Sequence, residues 1–150
     1  PTRGLGKIRF HDYRETYEKF DLPNIEAFKD QIKRLRKLLM VAKPDKNQSR
    51  DLDYLLVLGE LFTLVVYGHL VLEKALMDET DPDLLNQMFG LFVRDFSGYA
   101  TELYGKPSNS NRQRKMIRRL IQAPVADAEQ AERVWNEHVY ALKGQYRMGA

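Results

Sequence analysis

With 150 residues, a net charge of +3 and no cysteine, the chain is long enough for one domain with a sizeable core. The missing thiols exclude a disulfide framework and every thiolate zinc or iron–sulfur site, and they fit a reducing cytoplasm. So small a positive excess permits an anionic partner without demanding one.

The opening "PTRGLGKIRF" has no initiator Met and no apolar signal core. The chain is therefore expected to be trimmed or a piece of something longer, with residues 1–20 as an indeterminate N-terminal segment and 21–150 as a helical domain. "DYRETYEKF" could be helical, but its polarity makes it a poor independent element, and His11 is expected at a mobile end. From Ile25 the apolar residues Ile25, Phe28, Ile32, Leu35, Leu39 and Ala42 recur at the alternating three- and four-residue steps of a helical seam. Pro23 suits the first turn of that helix and Lys43-Pro44 ends it. "KPDKNQSR" reads as a loop.

The next helix is expected to start at Ser49 or Asp51. Its stretch "LGELFTLVVYGHLVLEKALM" is almost wholly apolar yet holds Glu60 and His69. Asp53, Glu60, Tyr67 and Lys74 recur every seven residues and form one narrow polar stripe on a helix, with Thr63 beside it. The other faces carry Leu52, Leu55, Leu56, Leu58, Leu61, Phe62, Leu64, Val65, Val66, Leu70 and Leu72. This pattern predicts a core helix buried on most sides with one wet edge, rather than a membrane span. Gly59 and Gly68 each cost about 1 kcal/mol of helix propensity, which suggests close approach of a neighbouring helix at both points.

"DETDPDLL" breaks the chain again, with Asp81 or Thr80 as cap and Pro82 in the first turn. Leu85, Met88, Phe92, Phe96, Tyr99 and Leu103 line the following helix, which Gly105 and Pro107 stop. A short helix over Asn111–Gln122 carries Met116, Ile117, Leu120 and Ile121. Asp127 with Gln130 resembles a capping box, and the last helix is expected to bury Ala131, Val134, Trp135, His138 and Leu142. Four long helices, one short one and tight loops predict an all-α, antiparallel helical bundle.

No reactive constellation emerges. Glu-x-x-His, His-Glu-x-x-His and Gly-x-Ser-x-Gly do not occur. Gly4-Leu5-Gly6 lacks the third glycine of a nucleotide fingerprint, and "YGKPS" lacks the ending of a phosphate loop. His69, one turn before Glu73, and His138 read as histidines satisfied by hydrogen bonds. Glu60 is expected to form a structural ion pair with Arg94. Two basic surfaces are expected: Lys29, Lys33 and Arg36 on the outer face of the first long helix, and Arg112, Arg114, Lys115, Arg118 and Arg119 as an anion-binding face. No aromatic residues interleave with the latter, which argues against single-stranded nucleic acid, while peripheral contact with an anionic membrane remains open. The residues therefore assign no catalytic, cofactor-binding or metal-binding group, and leave open whether the chain is enzymatic.

Three stretches carry a resemblance: "DLDYLLVLGELFTLVVYGHLVLEKA", "LLNQMFGLFVRDFSGYATELYGKPS" and "IRRLIQAPVADAEQAERVWNEHVYALKGQYRM". Gly59-Glu60-Leu61-Phe62, Val93-Arg94-Asp95-Phe96-Ser97, Gly105-Lys106-Pro107-Ser108 and Val134-Trp135 stand in the same order as in the C-terminal region of large bacterial acyl-CoA dehydrogenases, which the chain resembles from Phe28 to Met148. The resemblance implies a parent flavoenzyme that uses FAD and a glutamate base to introduce an α,β double bond into an acyl-CoA. None of that machinery matches a residue here. This region would be an added C-terminal helical domain serving packing and assembly against the parent's catalytic core, a second subunit or both, and would meet acyl-CoA only through the parent. The alternative is a free-standing helical binding module with a basic face for an anionic partner.

Overall fold

The computed structural model describes residues 12–145; His11, Gly4-Leu5-Gly6 and Met148 lie outside them. Among the described residues every regular element is helical. They are α1 (Tyr13–Tyr17), α2 (Pro23–Val41), α3 (Leu52–Asp78), α4 (Pro82–Gly105), α5 (Asn111–Ile117) and α6 (Ala128–Val134). Single 3-10 turns at Gln48–Arg50 and Arg118–Leu120 precede α3 and follow α5. The chain after α6 continues as a π turn over Trp135–Val139 and a 3-10 turn over Tyr140–Leu142.

Local chemistry sets the boundaries. Pro23 and Pro82 occupy first turns, where a missing N–H costs nothing. Asp51 caps α3 by accepting from the N–H groups of Asp53 and Tyr54 at 3.1 and 3.3 Å. Asp81 caps α4, and Ser110 with Gln113 forms a full capping box on α5. Asp127 caps α6 by accepting from Gln130 N, but the Gln130 side chain turns elsewhere, to Asp83 and Asn86. Glu79 ends α3 in the left-handed region with φ 51°, a place where glycine is the usual residue.

The three long helices, α2, α3 and α4, make the body. Asn24 meets Asn86 and Gln31 meets Ser97, so α2 and α4 run the same way. Asp53 meets Lys106 and Tyr67 meets Phe92, so α3 runs against α4. Between them lies an aromatic core in which the Phe28 ring stands 5.7 Å from each of Phe89, Phe92 and Phe96. Isoleucines and leucines of the α2 seam complete it, with Ile25, Phe28 and Leu35 fully buried.

Buried amides fasten the ends. Gln31 donates from Nε2 toward Ser97 Oγ at 2.9 Å and the Leu120 carbonyl at 3.0 Å, joining α2, α4 and the turn after α5. Its Oε1 has no hydrogen-bond partner. Asn24 bridges Asn86 and Val125, while Gln113 reaches Gln48 and the Ala42 carbonyl. These pins satisfy helix-end and loop groups that would otherwise be buried unpaired.

The polar "DYRETYEKF" is helical over Tyr13–Tyr17, where Tyr17 plugs the core and its hydroxyl donates to the Val65 carbonyl at 3.0 Å. Three expectations are corrected. A fourth long helix is absent from the described residues: α6 is seven residues long and gives way to the π turn. The predicted apolar seam of that helix is not buried; Trp135 is 56% exposed and Ala131 and Leu142 face solvent. Ala131 is already exposed within α6, and the π turn that follows shifts the register of the residues after it. Gly68 does mark a close approach, but Gly59 does not: a Cβ there would meet nothing within 4 Å.

Candidate interaction surface

The largest departure from expectation lies on α3. One arc of the helix is buried through Tyr54, Val57, Leu58, Leu61, Val65, Gly68, Leu72 and Ala75. The opposite arc was expected to be buried as well, yet it is exposed. Leu52, Leu56, Phe62, Val66, Leu70 and Met77 are each at least half exposed, and Leu55 is 41% exposed. At 100° per residue these side chains share one face, so α3 carries two apolar stripes and the fold covers only one. Among the described residues α3 is also the one helix long and apolar enough to cross a membrane, although it is held in the core along its buried arc.

The exposed stripe has unlike flanks. On its α2 side, Phe62 and Val66 share a cleft of about 350 Å³ with Ile32, Arg36, Leu39 and Met40. Arg36 and Lys33 are exposed there, and Met40 is 71% exposed. On its α4 side the character is acidic. The Glu60 carboxylate, with burial and then Asp95 adding to it, pushes the Tyr99 phenol above its usual range. Lys106, half-buried, bonds Asp53 at 2.5 Å and Glu102 at 3.3 Å, and the Asp53 carboxylate raises the ammonium's pKa.

The predicted site residues distribute as follows. Glu60 and Arg94 do not pair: Arg94 bonds its neighbour Asp95 at 3.1 Å, and Glu60 lies beside Tyr99. The expected Glu60–Arg94 ion pair is not among the ion pairs of the described residues, and Arg94 pairs with Asp95 instead. Arg114 is spent within the fold, donating to the carbonyls of Tyr104 and Pro107 at 3.2 and 3.3 Å. Arg112, Lys115, Arg118 and Arg119 are exposed. Arg119 shares a shallow cleft with Lys33, Arg34 and Lys37 of α2, where Arg34 bonds Asp30 at 2.5 Å. The two basic surfaces foreseen separately therefore join at this cleft.

Neither described histidine builds a reactive centre. His69 Nε2 lies 3.0 Å from Glu73 and 3.1 Å from the Thr16 hydroxyl, fastening α1 to α3. His138 Nε2 lies 2.5 Å from Asp81 Oδ2. With Glu137 these form the one grouping of potential metal ligands among the described residues. The imidazole faces Asp81, whose other oxygen caps α4, so the arrangement is spent on joining the π turn to the start of α4. Beside it, Arg133 bonds Asp83 at 2.6 Å and holds that carboxyl below the usual range.

Sequence reasoning missed the second α3 stripe and the buried amides. The stripe was visible as Leu52, Leu55, Phe62, Val66, Leu70 at helical spacing, but nothing in the spacing says which of two apolar arcs a fold will cover. The surface defines the class: an all-helical domain with one uncovered apolar helix face between a basic and an acidic ridge. Comparison with known protein families, curated proteins and solved structures gives no match.

Proposed function

We propose that this is a helical packing domain whose exposed α3 face is buried against protein in the working assembly. One observation carries the reading: the row Leu52, Leu55, Leu56, Phe62, Val66, Leu70 and Met77 lies on the surface of a helix whose other side is a packed core. Monomeric soluble proteins rarely expose a contiguous apolar patch beyond about 300–600 Å² unless it binds something. Scattered apolar residues would need no such account; a row running the length of α3 does.

The resemblance to the C-terminal region of large acyl-CoA dehydrogenases supports the same reading and suggests the context. The domain would complete an antiparallel bundle against the catalytic core of a cytoplasmic flavoenzyme, a second subunit or both. FAD and acyl-CoA would be held by the parent, with no ligand from this region. The test is to express the full reading frame that encodes this sequence and purify its product. A larger chain with flavin absorbance and acyl-CoA oxidation, whose assembly fails on Phe62→Glu, supports the proposal. A product that carries no flavin refutes the enzymatic context, and assembly indifferent to Phe62→Glu refutes the packing role.

A second reading is favoured by the cleft that gathers Lys33, Lys37 and Arg119: a phosphate-bearing anionic partner held at the α2–α5 surface. Each phosphate neutralised releases counterions, so binding would weaken steeply with salt. Titration with duplex, single strand and anionic vesicles at two salt concentrations checks it, and salt-insensitive or absent binding to all three removes it.

A further inference from the structure

Resting on the packing role above, we infer that the partner covering the α3 face is a second copy of this chain, docked in a parallel two-fold arrangement about an axis along α3. The two ridges beside the stripe select both the partner and its direction. Face-to-face packing of two identical layers about a two-fold axis can be made in two ways. With the axis across α3, the helices run antiparallel and each flank meets its own counterpart, so the α2 ridge of Lys33 and Arg36 opposes itself. With the axis along α3, the helices run parallel and each flank meets the other kind.

The heights agree with the parallel arrangement. Arg36 lines the cleft beside Phe62 and Val66, so it stands level with that part of α3. Glu60, two residues before Phe62 and on the polar edge of α3, stands on the opposite flank at the same level. A parallel pair therefore brings Arg36 of one copy to Glu60 of the other, twice over. Toward the C-terminal end, Glu73 lies on the α2 side of the stripe and Lys74 on the α4 side, one residue on and about 100° round. The same operation brings these two positions together, where Glu73 already meets His69 at 3.0 Å and Lys74 meets Asp78 at 2.7 Å within each copy.

A standard interface takes about 800 Å² from each partner, and the row with Met40 offers eight large apolar side chains, each 41–78% exposed.

Sedimentation velocity over a wide concentration range tests the association. The expected result is a reversible dimer whose dissociation constant rises by at least about a hundredfold in Phe62→Glu, as for a central anchor. Phe62 and Arg36 are both on the surface, so circular dichroism should report an unchanged fold for a substitution at either. Arg36→Glu should weaken the dimer about tenfold, and the double variant Arg36→Glu with Glu60→Arg should recover most of that loss. Because the chain has no cysteine, a single spin label at Met77→Cys reads direction. Parallel copies place the two labels within about 20 Å, whereas antiparallel copies, centred near the middle of α3, separate them by roughly 35–40 Å at 1.5 Å rise per residue.

A dimer that Phe62→Glu disrupts but whose labels lie at the longer distance overturns the two-fold inference and leaves the packing role standing. A dimer weakened by Arg36→Glu but not rescued by the swap also overturns it. A monomer at every concentration removes the second copy as occupant. Flotation of the chain with neutral and anionic vesicles, abolished by Phe62→Glu, would overturn both the inference and the packing role on protein.

Discussion

A methyl group at Gly68 separates close packing from mere helix propensity. In an exposed helix interior, Gly→Ala is worth about 1 kcal/mol of added stability. At Gly68 the new Cβ would overlap the Tyr17 hydroxyl, and it would stand 3.1 Å from Phe28 Cε1 and 3.5 Å from Phe89 Cε1. Tyr17 cannot simply step aside, since its ring is buried and its hydroxyl donates to Val65 O at 3.0 Å. Displacing it leaves a buried donor without an acceptor, a loss of about 1–3 kcal/mol, and overfilling a packed core adds about 1–3 kcal/mol. After the propensity gain, Gly68→Ala should destabilise the fold by about 2 kcal/mol or more, close to a 6 °C fall in Tm at roughly 3 °C per kcal/mol for this size. Gly98→Ala, where a Cβ meets nothing within 4 Å, should instead stabilise by about 1 kcal/mol. Thermal and urea denaturation followed by circular dichroism would read both. In a Tyr17→Phe background, which removes the clashing oxygen, the cost of Gly68→Ala should shrink to below about 1 kcal/mol. If Gly68→Ala stabilises as Gly98→Ala does, or if the Tyr17→Phe background changes nothing, the docking of α1 into the core is wrong.

Glu79 holds a left-handed conformation, with φ 51°, that costs an ordinary residue about 1–2 kcal/mol. Glu79→Gly should therefore raise stability by about 1 kcal/mol in urea unfolding, and a decrease would contradict the helix stop as described. Arg133 lowers the Asp83 pKa, so this group contributes stability that is full above the unfolded carboxyl value near pH 3.9 and is lost as pH falls through the depressed folded value. Trp135, the sole tryptophan, should report loosening of α6 in that acid window. Arg133→Ala should move the transition to higher pH, and an unchanged acid profile would deny the pair its role. Glu60 is the leading cause of the raised Tyr99 pKa, so Glu60→Gln should lower the Tyr99 titration midpoint in a tyrosine-resolved NMR experiment. An unmoved midpoint would take Glu60 away from the acidic ridge.

The α2 seam was legible because a single apolar stripe on an otherwise polar helix has only one side to bury. Ile25, Phe28, Ile32 and Leu35 accordingly lie in the core. The start at Pro82, the stop at Gly105 and the caps at Asp81 and Asp127 were legible for an equally local reason: each acts within one turn of its own backbone. Helix α3 was misread because both of its arcs are apolar. The polar positions Asp53, Glu60 and Lys74 fix a wet edge, but covering the remaining arc depends on how many neighbours exist, and α6 proved too short and too distant to be one. Buried amides were illegible for a related cause. Gln31 looks like any polar residue between Phe28 and Ile32, and only the arrival of Ser97 and the Leu120 carbonyl gives its side chain a reason to be inside. The basic cleft was half legible: the residues of α2 and α5 were identified separately, and their meeting at Arg119 is a tertiary fact.

Thiol labelling of two single-cysteine variants on α3 tests the central claim most directly. Phe62→Cys lies on the stripe that is half exposed, and Ala75→Cys lies on the buried arc at 6% exposure. At high dilution the thiol at position 62 should react at nearly the rate of an unfolded control while that at 75 is strongly protected, and concentrating the chain should protect position 62 alone. Equal protection of both positions at every dilution would show α3 covered on both sides within one molecule. A thiol at 62 that stays fully reactive in the concentrated chain and in the product of the full reading frame would show that nothing is built to cover it.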